Sequence, residues 1–270
     1  MKRVAFHLHI FSETSMNSAS SHDLLSVKGL HKKYGAVTAL RDVSFTVRRG
    51  EVTALLGDNG AGKSTTIKAI AGVAPADSGS IMLEGQEVQI RRPADATGLG
   101  IQTVYQDLAL CDNLGICANL FLGRERVSGP FGMLRDVDME EEARKVLKTL
   151  RVNLPALDTP VAALSGGQRQ AVAIARAVLW GKKIVIMDEP TAALGVAQTA
   201  EVLRLVRDLA EQGFGVILIT HNMQNVFEVA DSVVVLRLGQ TVMEERKSDL
   251  TPEEVVGCIT GSRTTIGGMA

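Results

Sequence analysis

Residues 52–65 constrain this chain more than any other segment. Val52–Leu56 is a short apolar run that predicts a buried strand, and it feeds directly into Gly57-Asp58-Asn59-Gly60-Ala61-Gly62-Lys63-Ser64-Thr65. That loop matches G-x-x-x-x-G-K-[ST], and a helix is predicted from Lys63 to about Ala71, ended by Gly72. The glycines let successive backbone N–H groups turn inward around a phosphate, and the helix start adds its positive end. Lys63 can reach the outer phosphates of a nucleotide, and the Ser64 hydroxyl can ligate magnesium. A strand, a glycine loop and a helix in that order make this a phosphate site rather than a plain turn.

The rest of the chain is compatible with such a core. Leu24–Leu30 and Val37–Val47 alternate like half-buried strands around a turn at Gly35. Ser80–Leu83 and the residues after Gly85 suggest another hairpin, with turns at Asp77-Ser78-Gly79 and Glu84-Gly85. Residues 113–150 read as helix-rich, with helical spacing at Ala143, Val146, Leu147 and Leu150 and a loop at Ser128-Gly129-Pro130. Strands at Ile184–Met187, Gly215–Ile219 and Ser232–Leu238 alternate with helices at about 197–212 and up to Val229. Such alternation implies an α/β fold with a parallel sheet covered by helices, the helical middle being an insertion.

Composition sets limits. An apolar fraction of 46% is that of a globular protein, and a net charge of −1 gives no sign of a nucleic-acid partner. Arg48-Arg49, Arg91-Arg92 and Lys182-Lys183 read as solvated faces. Cys111, Cys117 and Cys258 are too few and too irregular for a disulfide framework or a zinc site. No run reaches the roughly 18–20 apolar residues that cross a bilayer, and the most apolar stretch, Ala171–Trp180, carries Arg176 in its middle. Residues 1–22 are expected to be a disordered or mis-assigned tail, with Met1 and Met16 as competing starts.

Two further motifs carry chemistry. Ile184-Val185-Ile186-Met187-Asp188-Glu189 is an apolar strand closed by two acids. Asp188 fits the magnesium-side carboxylate of a phosphate-loop enzyme, and Glu189 could polarise an attacking water. Leu164-Ser165-Gly166-Gly167-Gln168, before Arg169-Gln170 and a helix, offers a hydroxyl and N–H donors at a helix N-terminus. This segment resembles the signature sequence of ABC (ATP-binding cassette) ATPases.

The resemblance covers residues 23–261 and implies a P-loop NTPase (RecA-like) parallel-sheet core. To this it adds an N-terminal antiparallel β subdomain and an α-helical subdomain at about 107–178, within an ATPase domain of residues 23–262 followed by a tail at 263–270. Tyr34 resembles the aromatic that stacks on adenine, Gln106 the glutamine that joins the magnesium site to the helical insertion, and His221 the histidine that contacts the γ-phosphate. ATP and Mg²⁺ are the implied cofactors. Gly57–Thr65, Tyr34, Gln106 and Ser165–Gln168 would bind nucleotide; Ser64, Gln106 and Asp188 would bind metal; Glu189, His221 and Lys63 would be catalytic. Head-to-tail pairing is implied, each ATP lying between the loop of one chain and Ser165 and Gly167 of the other. Gly195 departs from the family pattern, which places there an aspartate that helps couple the two sites; Gly195 with Ala-Ala-Leu before it also resembles one branch of monosaccharide importers.

Three uses compete: the energising subunit of a membrane importer, a soluble ABC protein on ribosomes or DNA, and an exporter subunit. Residues 107–125 resemble the permease-facing region of ribose-, xylose- and fructose-type importers. Many members of that branch carry two fused cassettes; this chain carries one, so a homodimer is expected, on the cytoplasmic face of the cell membrane with transmembrane permease subunits and, indirectly, an extracytoplasmic solute-binding protein.

Overall fold

The structure, a computed structural model, describes residues 23–129 and 132–263. The expectations for residues 1–22 and 264–270 lie outside the described residues. Strands β1 (Asp23–Tyr34) and β2 (Val37–Arg48) form an antiparallel hairpin whose tip pairs Tyr34 with Val37. β3 (Val52–Leu56) leads through the glycine loop into α1 (Lys63–Ile70). β4 (Ser78–Leu83) pairs with β1, and β5 (Gln86–Val88) pairs with β4. After α2 (Pro93–Gly98) and β6 (Ile101–Val104) the chain leaves the sheet. It builds α3 (Ile116–Phe121), a ribbon of β7 (Val127–Ser128) and β8 (Met133–Leu134), α4 (Asp136–Thr149) and α5 (Gly166–Trp180). It returns through β9 (Ile184–Asp188), α6 (Val196–Glu211), β10 (Gly215–Ile219) and α7 (Met223–Val229). β11 (Ser232–Arg237), β12 (Gln240–Arg246) and α8 (Pro252–Thr260) complete the described chain.

Ten strands make one sheet in the order β5-β4-β1-β2-β12-β11-β3-β10-β9-β6. From β11 to β6 the pairings are parallel, and from β5 to β2 they are antiparallel. This is the expected P-loop NTPase arrangement with an antiparallel β portion. β3 and β10 are buried at every residue, because helices cover both faces. The period of two sorts their side chains: Val185, Met187, Val216 and Leu218 pack towards α3, α5 and α6, while Ile184, Ile186, Ile217 and Ile219 pack towards α1. Each such aliphatic side chain contributes about 1.5–3 kcal/mol by leaving water.

β2 and β12 pair at Gln240 and Asp42. Along the rest of that junction side chains contribute: Ser44 N donates to Thr241 Oγ1 (3.0 Å), Thr241 Oγ1 donates to Ser44 O (2.8 Å), and Thr46 N donates to Glu244 Oε1 (2.8 Å).

The structure departs from the sequence reading in three places. Ser78 and Gly79 belong to β4 rather than to a turn, because the glycine is needed for close strand approach: a Cβ on Gly79 would lie 2.4 Å from the Gly29 carbonyl oxygen. The middle segment is less helical than its composition suggests, with the β7–β8 ribbon separating α3 from α4. Finally, β12 and α8 extend the fold beyond the last strand that periodicity picks out. β12 hides only Met243, so its apolar pattern is faint.

Candidate functional site

Four adjacent parallel strands end at one edge of the sheet. β3 ends at the glycine loop, β10 at Thr220-His221, β9 at Asp188-Glu189 and β6 at Tyr105-Gln106-Asp107. Their register is level: Ile219 pairs with both Leu55 and Asp188, and Val104 pairs with Met187. Open parallel sheets bind ligands beyond their carboxyl ends, so the topology gathers most of the expected residues where a ligand can reach them.

The loop depends on its first glycine. Gly57 has φ +149°, and a Cβ there would stand 2.3 Å from the Leu236 carbonyl oxygen. Asn59 N donates to Asp58 Oδ1 (2.7 Å), and Gly62 is the left-handed N-cap of α1. Lys63 Nζ donates to Gly57 O (2.7 Å) and Asp58 O (3.1 Å), so its ammonium stands over the loop. Ser64 is exposed, Thr65 half-buried, and Thr66 is buried with its hydroxyl bonded to Gly62 O (3.0 Å).

Asp188 lines an open cleft of about 480 Å³ with Tyr105, Gln106 and Asp107. Burial pushes its carboxyl above the ordinary range, the charge of Glu189 adds to this, and Lys63 pulls the other way. A half-buried carboxylate facing an ammonium suits a cation-binding edge. Glu189 has φ +50°, a costly left-handed conformation for a residue with a Cβ. It is held by Glu189 N donating to Ile219 O (2.9 Å) and by Ala192 N donating to Glu189 O (3.1 Å). The twist turns the side chain to His221, whose Nδ1 shares a hydrogen bond with Glu189 Oε1 at 3.0 Å. His221 remains largely exposed at 82%, so its other ring nitrogen is accessible.

The pair has supports that the sequence did not advertise. Asn225 is buried and its Nδ2 donates to Thr191 Oγ1 (3.0 Å), tying the turn after Glu189 to α7. Asn222 caps α7 by accepting from Asn225 N (3.3 Å), and Asn222 N donates to Thr220 Oγ1 (3.1 Å) on the other side of His221.

Tyr34 stands at the tip of the β1–β2 hairpin, 46% exposed, with Lys32 Nζ 5.6 Å from its ring centroid. β2 runs on from there against the loop, Ala39 and Leu40 lying beside Gly62.

Ser165–Gln168 stand elsewhere. Ser165 is the N-cap of α5, with Gln168 N donating to Ser165 Oγ (3.3 Å) and Ser165 N donating to Gln168 Oε1 (3.0 Å). Gly166 approaches Leu194 and Gly167 approaches Gln198. Among the described residues no hydrogen bond joins this segment to Gly57–Thr65. Gly195, the N-cap of α6, has no side-chain cap and open space where a Cβ would be.

Ser64, Gln106 and Asp188 offer a hydroxyl, an amide oxygen and a carboxylate, the hard oxygen donors that Mg²⁺ takes. Among the described residues no group of three or more His, Cys, Asp or Glu side chains is gathered for a metal.

Residues 40–192 match the family model described as ABC transporter. The chain is 48% identical to a xylose/arabinose import ATP-binding protein of Sulfolobus acidocaldarius, over 88% of this chain and 94% of that protein. It is 47% identical to a fructose import ATP-binding protein of Rhizobium meliloti, over 89% and 95% respectively. A ribose import ATP-binding protein of Hahella chejuensis is 38% identical over 90% of this chain, which spans 48% of that longer protein. Among solved structures, a nucleotide-free ATP-binding cassette from an ABC transporter superposes with a TM-score of 0.75 at 28% identity, covering 88% of this chain and 95% of the other. A dimeric post-hydrolysis cassette bound to ADP and Pi gives 0.69 at 25% identity, covering 83% and 99%.

Proposed function

The chain belongs to the ATP-binding proteins of ABC transporters, enzymes that couple ATP hydrolysis to transport, and we propose that it energises uptake of a monosaccharide. The sugar-import names of three relatives support that use over a ribosomal, DNA-bound or exporter role. The observation that carries the reading is the gathering of the glycine loop, Asp188, Glu189 and His221 at the ends of neighbouring parallel strands, with Glu189 and His221 3.0 Å apart.

In this reading the backbone of Gly57–Gly62 and the Lys63 ammonium hold the phosphates, and Tyr34 stacks on the base. Ser64, Asp188 and Gln106 would hold Mg²⁺, which when bound would supply positive charge to offset that of the phosphates. Glu189 orients the attacking water, and His221, held through Nδ1, turns its other nitrogen to the γ-phosphate. Lys63 spreads charge off the transferring group as it develops. Ser165–Gln168 are separate from their own chain's loop, which supports their serving the nucleotide of a second copy. A homodimer follows, and a dimeric relative in its post-hydrolysis state supports that assembly. The import names of the relatives support permease subunits that move the solute; no helix among the described residues is long and apolar enough to cross a membrane. A solute-binding protein would deliver sugar from outside, with this chain on the cytoplasmic face.

The test is purification of the native complex and its reconstitution in vesicles. Sugar-loaded binding protein should stimulate ATP hydrolysis several-fold, while co-purification with ribosomes and no membrane partner would contradict the proposal.

A further inference from the structure

The loop that follows Gln106 closes its own N–H groups, Leu108 N donating to Tyr105 O (3.0 Å) and Ala109 N to Asp107 O (2.7 Å), but among the described residues no backbone N–H reaches the carbonyls of Leu108 and Ala109. Leu108 and Ala109 are consecutive residues with positive φ, +57° and +46°, a conformation that side chains with a Cβ resist. Two carbonyls of this turn point to one guanidinium: Arg176 Nη2 donates to Leu108 O and Arg176 Nη1 to Ala109 O, each at 2.7 Å. Arg176 sits midway in the apolar helix α5 and is half-buried. Among the described residues it forms no ion pair, and burial works against its charge. A cation kept in that setting is satisfied by carbonyl dipoles, and the planar fork suits two adjacent acceptors better than an ammonium does.

The same helix grips the loop a second time. Arg169, seven residues earlier and so on the same face, stands 3.6 Å from Asp112 and donates to Ala162 O at 3.1 Å. The chain just before the signature also pairs with the loop, Val161 N donating to Leu114 O (3.0 Å) and Ala162 N to Asp112 O (2.9 Å). At one end this loop carries Gln106, which shares a cleft with Asp188; at its other side it is fixed to the helix whose N-cap is Ser165.

We propose that Arg176 is a positioning residue for Gln106, clamping the left-handed Leu108–Ala109 turn to α5 so that Gln106 moves with the helix that carries Ser165. The proposal rests on the reading of Gln106 as a ligand of the metal–nucleotide site. It makes α5 the mechanical link between the two nucleotides of a dimer: the N-cap of the helix meets one, and its Arg176 sets the glutamine that meets the other. Arg176 touches neither nucleotide nor metal, so its removal should lower turnover while sparing affinity.

The experiment is a double-mutant cycle on the purified full chain with MgATP, reading kcat, KM and ATP affinity. Arg176→Ala should lower kcat about tenfold, with affinity changed less than about twofold, because Arg176 acts on Gln106 and not on the nucleotide itself. Added guanidinium should restore part of the kcat of Arg176→Ala and leave the unsubstituted chain unaffected. In the background of Gln106→Ala the second substitution should cost nothing further, because both remove one function. Losses that multiply, or an unchanged kcat in Arg176→Ala, would overturn the clamp while leaving the role of Gln106 intact. A normal kcat in Gln106→Ala would overturn the reading of Gln106, and the clamp with it. Should Arg176→Ala not fold, Arg176→Lys carries the same cycle, since an ammonium cannot reproduce the planar fork.

Discussion

β3, β9 and β10 satisfy their backbone groups within the sheet, whereas the chain from Asp107 to Gly115 takes part of its hydrogen bonding from side chains on α3 and α5. The first region is a ladder in which every residue but the half-buried Asp188 is buried. In the second, Arg176 takes two carbonyls, and fully buried Asn119 accepts from Cys111 N (2.7 Å) and donates to Cys111 O, Leu114 O and Gly115 O at 3.0–3.1 Å. The ladder fixes the reacting groups to a rigid edge. The plugged loop ties its shape to α3 and α5, and under the proposal above it shifts only with them. Rigid chemistry and movable coupling therefore lie side by side, meeting where Gln106 and Asp188 line one cleft.

Substitutions that strike each region differently sharpen this contrast. The largest effect on binding is expected at the rigid edge. Gly57→Ala drives a Cβ onto the Leu236 carbonyl, so ATP affinity should fall about a hundredfold by titration calorimetry as the phosphate cradle is displaced. Asn119→Ala should cost about 2–4 kcal/mol in denaturant unfolding, because it strands several buried groups at once, and it should lower kcat. An unfolding loss without any kinetic change would deny that the plugged loop governs the cleft.

Asp188→Asn should separate function from stability. Magnesium-dependent hydrolysis should be lost, while the nucleotide-free chain should melt about 2–4 °C higher, because a half-buried charge beside Glu189 is removed. The smallest effect is expected at Gly195. Gly195→Asp fits the open space and can cap α6, adding a few tenths of a kcal/mol, on the order of 0.3. If the family's aspartate couples the paired sites, the same variant should raise the Hill coefficient for ATP.

The legible and illegible parts of the sequence follow the same division. β3 and β10 were readable to the residue, because a strand buried on both faces is an apolar run, interrupted in β3 only by Thr53, between turn residues. The loop, Asp188-Glu189 and His221 were readable because strand ends carry them in sequence. The double left-handed turn at Leu108–Ala109 was not, since neither residue is a glycine and its support arrives from 67 to 68 residues away. One signal was present: Arg176 interrupts the most apolar stretch of the chain, and a buried cation there needs a partner. β12 escaped notice because part of its junction with β2 is made by Thr241 and Glu244 rather than by apolar side chains. The left-handed Glu189 was equally hidden, as nothing in Asp188-Glu189-Pro190 announces a positive φ.

Glu189 is the residue proposed to orient the attacking water, and Glu189→Gln tests that role most directly because shape and size are kept while the carboxylate is lost. Measured together on one preparation, ATP affinity should stay within about twofold and kcat should fall about a thousandfold. Hydrolysis at the unsubstituted rate with normal binding would contradict the assignment and, with it, the site built around the Glu189–His221 pair.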